Sequence, residues 1–178
     1  MLIYIPIALA AIVVLFIAVA AMQPSDFRVA RTTTISASPA AIFAHVNDFR
    51  KWEAWHPWGK IDPAMKVTYE GEPDGTGAVY TWAGNGQVGE GRMTIAQSNP
   101  PDLIQIAMEF KKPFAGNNIA EFTFKPEGNQ TVVTWSMSGK NNLMAKAIHL
   151  VMNMDKMIGG QFEKGLADMK SVAEAEPR

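Results

Sequence analysis

Between positions 103 and 138, apolar and polar residues change places at nearly every step. Ile104, Ile106, Met108 and Phe110 alternate with Gln105, Ala107, Glu109 and Lys111; Ala120, Phe122 and Phe124 with Glu121, Thr123 and Lys125; Val133, Trp135 and Met137 with Thr134 and Ser136. Successive side chains of a strand point to opposite faces, so this period of two builds a sheet with one apolar and one polar face. Earlier segments extend the pattern. Strands are predicted at Lys66 to Tyr69, Ala78 to Trp82, Gln87 to Gln97, Leu103 to Lys111, Ala120 to Lys125 and Thr131 to Ser138, divided by Gly-, Pro- and Asn-rich turns. A further strand, Phe27 to Ser36, is rich in β-branched residues. Short strands at this rhythm predict an antiparallel meander rather than βαβ units.

A one-sided sheet needs a cover. The segment from Asn142 to Ala173 supplies one: Leu143, Ala147, Leu150, Val151, Met154, Met157, Ile158, Phe162, Leu166 and Met169 recur at helical spacing. Gly159-Gly160 is predicted to interrupt this helix. Near the start, Ser38-Pro39 reads as an N-cap with proline in the first helical position, ahead of Ile42, Phe43 and Val46. Trp52, Trp55 and Trp58 follow, with His56 and Pro57 between them.

From Leu2 to Met22 there is no charged residue, a run of about 21 that as a helix rises roughly 30 Å and matches a bilayer's hydrocarbon core. The length favours a retained transmembrane anchor at 1–22, although Ala18-Val19-Ala20 resembles a signal-peptidase site. Arg28 and Arg31 follow the run, so the positive-inside tendency places the soluble part in the cytoplasm, and in the periplasm or outside the cell if the segment is cleaved. Residues 23–26 then form a linker, 27–173 the domain and 174–178 a tail.

The formal net charge is -1 and there is no basic run, which argues against nucleic acid as a partner. The chain has no cysteine, so disulfides and thiolate chemistry are excluded. Three histidines give no metal-ligand spacing, and no metal or cofactor is expected.

The order strand, helix, aromatic segment, six strands and long helix resembles the START/Bet v1-like (SRPBCC) superfamily, and within it the bacterial polyketide cyclase/dehydrase group. The residues that carry the resemblance are Ser38-Pro39 with Phe43, Trp52 with Trp55-His56-Pro57-Trp58, Tyr69-x-Gly71, Tyr80-x-Trp82-x-Gly84-Asn85, Gly89-x-Gly91-x-Met93-x-Ile95, Thr131-x-Val133-x-Trp135 and Gly160-x-Phe162-x-x-Gly165-Leu166. The resemblance spans about Phe27 to Met169. It implies an α+β helix-grip fold: a curved antiparallel sheet of about seven strands wrapped on a long C-terminal helix, with a cavity between them. It also implies a lipid or other apolar small molecule as ligand.

The expected lining is Trp55, Tyr80, Trp82, Met93, Ile106, Met108, Phe122, Phe124, Trp135 and Met137, facing Met154, Met157 and Phe162. The same residues also suit a filled core. His56 is the one weak candidate for acid–base chemistry, because it lacks an identifiable partner in the sequence. Glu90 and Arg92 read as a surface pair. Three functions stay open: a membrane-anchored module that holds an apolar molecule, a cyclase or dehydratase acting on an aromatic or polyketide-like substrate, and a ligand-free tethered interaction protein whose protein partner is unknown.

Overall fold

The computed structural model describes residues 4–176. Seven strands form one fully antiparallel sheet in the order β1-β7-β6-β5-β4-β3-β2. The strands are β1 (Asp26–Ile35), β2 (Lys66–Gly71), β3 (Ala78–Ala83), β4 (Glu90–Asn99), β5 (Leu103–Lys112), β6 (Gly116–Glu127) and β7 (Gln130–Lys140). From β2 to β7 every strand pairs with its sequence neighbour, so the meander read from the turns is present. β1 closes the arrangement along β7, from Asp26 opposite Lys140 to Ile35 opposite Thr131. Register shifts at Glu90/Gly91 and Ile95/Gln97 mark irregularities in the β4–β5 pairing, of the kind that bends a strand.

The helices begin with α1 (Tyr4–Met22), which is apolar throughout and exposed except at Ala20. α2 (Pro39–Asn47) starts as its sequence requires: the Ser38 hydroxyl accepts from the Ala41 amide at 3.3 Å, and Pro39 sits where no intrahelical donor is needed. The tryptophan segment is not one helix. A 3₁₀ turn, Phe49–Ala54, precedes a short α3 (Pro57–Ile61), with His56 at its N-cap.

The covering helix differs from its expected form. It is two helices, α4 (Leu143–Val151) and α5 (Met154–Ala175). The break falls at Met152-Asn153, where the Asn153 carboxamide accepts from the Lys156 amide at 2.9 Å and caps α5. Gly159-Gly160 lies inside α5 and does not interrupt it. Of the two, α5 is the one that covers the sheet, burying Gly159, Phe162, Gly165, Leu166, Met169 and Ala173. α2 and the tryptophan segment cover it beside α5, with Phe43 against Phe124 and Trp52 against Phe122. α4 turns away and packs against α1.

Polar ties fix α5 along β1, in chain order on both elements. Arg31 meets Asp155 at 3.0 Å and Glu163 at 2.6 Å, Lys170 Nζ donates to the Thr34 carbonyl at 2.9 Å, and the Ser36 amide donates to Glu174 at 2.7 Å. The Arg31 guanidinium, hydrogen-bonded to both carboxylates, is held firmly protonated, and it lowers the Asp155 carboxyl below its ordinary range.

Candidate ligand site

Trp135 stands at the centre of the space between sheet and helix. The alternation on β7 turns Val133, Trp135 and Met137 inward. On the neighbouring strand Phe122 lies directly opposite Trp135, and their rings stack at 4.9 Å. From the helix side Phe162 stacks on the same indole at 4.1 Å, with the ring planes 14° apart. Trp55 meets Trp135 edge-on at 5.7 Å, and Trp58 touches both Trp135 and Phe162.

Such contact between sheet and helix depends on Gly165. A Cβ there would lie 2.8 Å from Trp135 Cζ3 and 3.0 Å from Pro57 Cδ. Glycine lets α5 press onto the indole and onto the start of α3 at once.

His56 is half-buried among rings: its centroid lies 4.7 Å from Trp52, 5.0 Å from Trp58 and 6.2 Å from Trp135. Burial away from water disfavours the imidazolium and pushes the pKa down to about 3, so the ring is neutral at ordinary pH. Tyr80, deeper along β3, has its phenol raised to about 12 by desolvation, with the charge of Tyr69 a smaller cause. The ring neighbours of His56 among the described residues are Trp52, Trp55, Trp58 and Trp135, and Tyr80 lies 5.8 Å from the Tyr69 ring.

Buried indole N–H groups need acceptors. Trp52 donates to the Val46 carbonyl at 3.0 Å, Trp55 to the His45 carbonyl at 3.2 Å and Trp82 to the Val88 carbonyl at 3.3 Å. Trp135 Nε1 is buried and has no hydrogen-bond partner among the described residues. Leaving such a donor unpaired costs about 1–3 kcal/mol.

Ten of the expected lining residues, Trp55, Tyr80, Trp82, Met93, Ile106, Phe122, Phe124, Trp135, Met137 and Phe162, form one buried cluster, and half-buried Met108 packs on it. Trp55, Ile106 and Phe122 have no accessible surface, so their side chains fill the sheet-side interior. Met154 and Met157 are placed elsewhere. Met157 is 47% exposed, and Met154 lines a separate groove near α4. Helical geometry explains this: Met157 lies about 120° or more from the Phe162–Leu166–Met169 stripe at 100° per residue. Glu90 is a surface residue paired with Lys112 at 2.7 Å.

The seam between α3 and α5 opens as a cleft of about 510 Å³, lined by Pro57, Lys60, Ile61, Gln161, Lys164, Ala167 and Asp168. Lys60 Nζ meets Asp168 Oδ2 across it at 2.7 Å. Sequence reasoning missed this pair, because no spacing rule links positions 60 and 168. Gly165 belongs to the Gly160-x-Phe162-x-x-Gly165-Leu166 motif, but its role depends on ring positions that only the fold supplies.

A seven-stranded antiparallel sheet gripping a long C-terminal helix over an aromatic interior defines the START/Bet v1-like helix-grip class. The chain belongs to the family described as polyketide cyclase / dehydrase and lipid transport, whose sequence profile matches residues 26–174. No curated protein is detectably similar in sequence. Solved structures share the fold at low identity. Truncated norcoclaurine synthase from Thalictrum flavum superposes with a TM-score of 0.65 at 12% identity, covering 87% of this chain and 99% of that one. The di-domain ARO/CYC BexL of the BE-7585A biosynthetic pathway gives 0.61 at 14% identity, over 90% of this chain and 54% of its own. Aha1 from Colwellia psychrerythraea, solved as a dimer, gives 0.61 at 15% identity, over 84% and 97%.

Proposed function

We propose that this protein is a membrane-tethered carrier of a lipid or other apolar small molecule, which it holds beneath the α3–α5 cleft against Trp58, Trp135 and Phe162. The observation that carries the reading is the unpaired Trp135 indole N–H, buried in an otherwise apolar aromatic setting. A molecule with an apolar body and one acceptor oxygen satisfies that donor. Its body gains about 25 cal/mol per Å² of apolar surface removed from water, before ordering costs. Because the sheet-side core is filled, the ligand enters at the seam, displacing Trp58 and the Lys60–Asp168 pair rather than the strands. The family description, which includes lipid transport, agrees with such a role.

Binding fits this site better than catalysis. A cyclase or dehydratase needs an acid–base pair, whereas the neutral His56 is surrounded by rings and Glu90 is tied to Lys112 at the surface. α1, 19 residues long and free of charged residues, tethers the domain to the inner membrane of a bacterial cell. Arg28 and Arg31 just beyond it hold the domain on the cytoplasmic side.

Tryptophan fluorescence of the full-length chain in detergent tests the site. Oleate and 1-naphthol should each be titrated against wild type and Trp135→Phe. A saturable change is expected for at least one probe, weakened about tenfold in the variant, as loss of one buried hydrogen bond implies. A linear change, equal in both proteins, would overturn the reading.

A further inference from the structure

α4 buries none of its residues, and its exposed large apolar residues keep to one side. Leu143, Met144, Leu150 and Val151 fall within about 120° of one another around the helix axis, at 100° per residue. They are exposed by 52%, 58%, 36% and 72%, and Met152 just beyond continues the patch. In a water-facing helix this arrangement exposes several large apolar side chains side by side, which water-soluble surfaces rarely do.

The surroundings identify what covers this face. β1 starts directly after α1, and β7 ends directly before α4, with Asp26 opposite Lys140. The two helices therefore leave the same end of the sheet. The Asn141 amide donates to the Ser25 carbonyl at 2.6 Å, and Lys146 Nζ reaches the Ala21 carbonyl at 3.4 Å, next to buried Ala20. α4 is thus fixed beside the last turn of α1, the level at which a spanning helix leaves the hydrocarbon. Exposed Arg28, Lys140 and Lys156 lie on the segments around it, where cations meet anionic headgroups.

We infer that α4 is an interfacial membrane helix, lying on the lipid surface with Leu143, Met144, Leu150, Val151 and Met152 among the outer acyl segments. This deepens the tethering proposed above and rests on α1 spanning the bilayer. With two contacts the domain has a fixed orientation on the membrane. The groove of about 390 Å³ between β1 and the α4–α5 junction, lined by Phe27, Val29, His149 and Met152 among others, then faces the lipid.

The chain has no cysteine, so single labels can be placed in the full-length protein. Val151→Cys, Met144→Cys, Val13→Cys and Lys125→Cys would each carry an environment-sensitive nitrobenzoxadiazole dye. Each is then reconstituted in phosphatidylcholine vesicles containing one quarter phosphatidylglycerol, with lipids spin-labelled near the headgroup or deep in the chain. Lys125 is exposed at the opposite end of the sheet, opposite Val132, and serves as the aqueous control. The labels at 144 and 151 are expected to shift to the blue and be quenched by the shallow spin label at least about threefold more than the label at 125. Labels at 144 and 151 that behave like the label at 125 would overturn the inference. If the label at 13 is then still quenched by the deep spin label, α1 spans and only the role of α4 fails. If it is not, the tether fails with it.

Discussion

A Cβ placed on Gly159 would fall on the guanidinium of Arg31. Gly159 is buried on the face of α5 that meets β1, between Asp155 and Glu163, the two carboxylates that Arg31 binds. Glycine at this position is the space through which a strand cation reaches across the helix. Its neighbour Gly160 faces open space.

The adjacent glycines should therefore respond in opposite directions. Gly159→Ala displaces Arg31 from Asp155 and Glu163 and should lower the Tm. Gly160→Ala should raise stability by about 0.5–1 kcal/mol through helix propensity and a less flexible unfolded chain. Thermal melts followed by circular dichroism compare the two, and equal effects of the same sign would contradict the Arg31 account.

Gly165→Ala should destabilise by about 1–3 kcal/mol, because the added methyl meets the Trp135 ring and the Pro57 ring, neither of which can swing aside as a flexible chain end would. Denaturant unfolding monitored by tryptophan emission reads both the stability and the changed setting of Trp135. A neutral outcome would mean that α5 is not pressed onto Trp135 in solution.

His56 should make the fold acid-sensitive. Its pKa is about 3 in the folded protein and about 6.5 in an unfolded chain, so between those values the unfolded state binds more protons. Stability is then full above pH 6.5 and falls as the pH drops toward 3, by at most about 1.4 kcal/mol per pH unit given that the ring is only half-buried. His56→Phe should flatten the pH 6 to 4 part of the profile. The lowered carboxyl of Asp155 gives a slope of the same sign at lower pH, lost as the pH falls through its folded value, and that part should survive in the variant. An unchanged profile between pH 6 and 4 would place His56 in water.

Lys60→Met removes the pair that spans the cleft. Lys60 is exposed and Asp168 partly so, and stability should change by less than about 1 kcal/mol. Release of a bound apolar probe should accelerate, as stopped-flow displacement would show. An unchanged release rate means that the ligand does not pass between α3 and α5.

Period-two alternation made the sheet legible, because a strand has only two faces and the turns stood at Gly, Pro and Asn positions. The start of α2 was legible for the same local reason: Ser38 and Pro39 act within one turn. The division of the last helix was not. Asn153 looks like one more polar residue on a helical surface, and only its side chain turned back onto the Lys156 amide makes it a cap. The apolar residues of α4 have the same spacing as those of α5, and spacing cannot say whether such a face meets a sheet or a lipid. The core side chains around Trp135 were legible as apolar, whereas the unpaired indole N–H and the Lys60–Asp168 pair depend on where distant segments come together.

Native mass spectrometry of the full-length chain, purified gently from a bacterial membrane and released from detergent in the gas phase, tests the central claim most directly. A discrete adduct that extracts into organic solvent, and whose occupancy drops in Trp135→Phe, is the expected result and names the ligand class. A protein of apo mass alone, still unliganded after incubation with lipid and aromatic libraries, would contradict the carrier account.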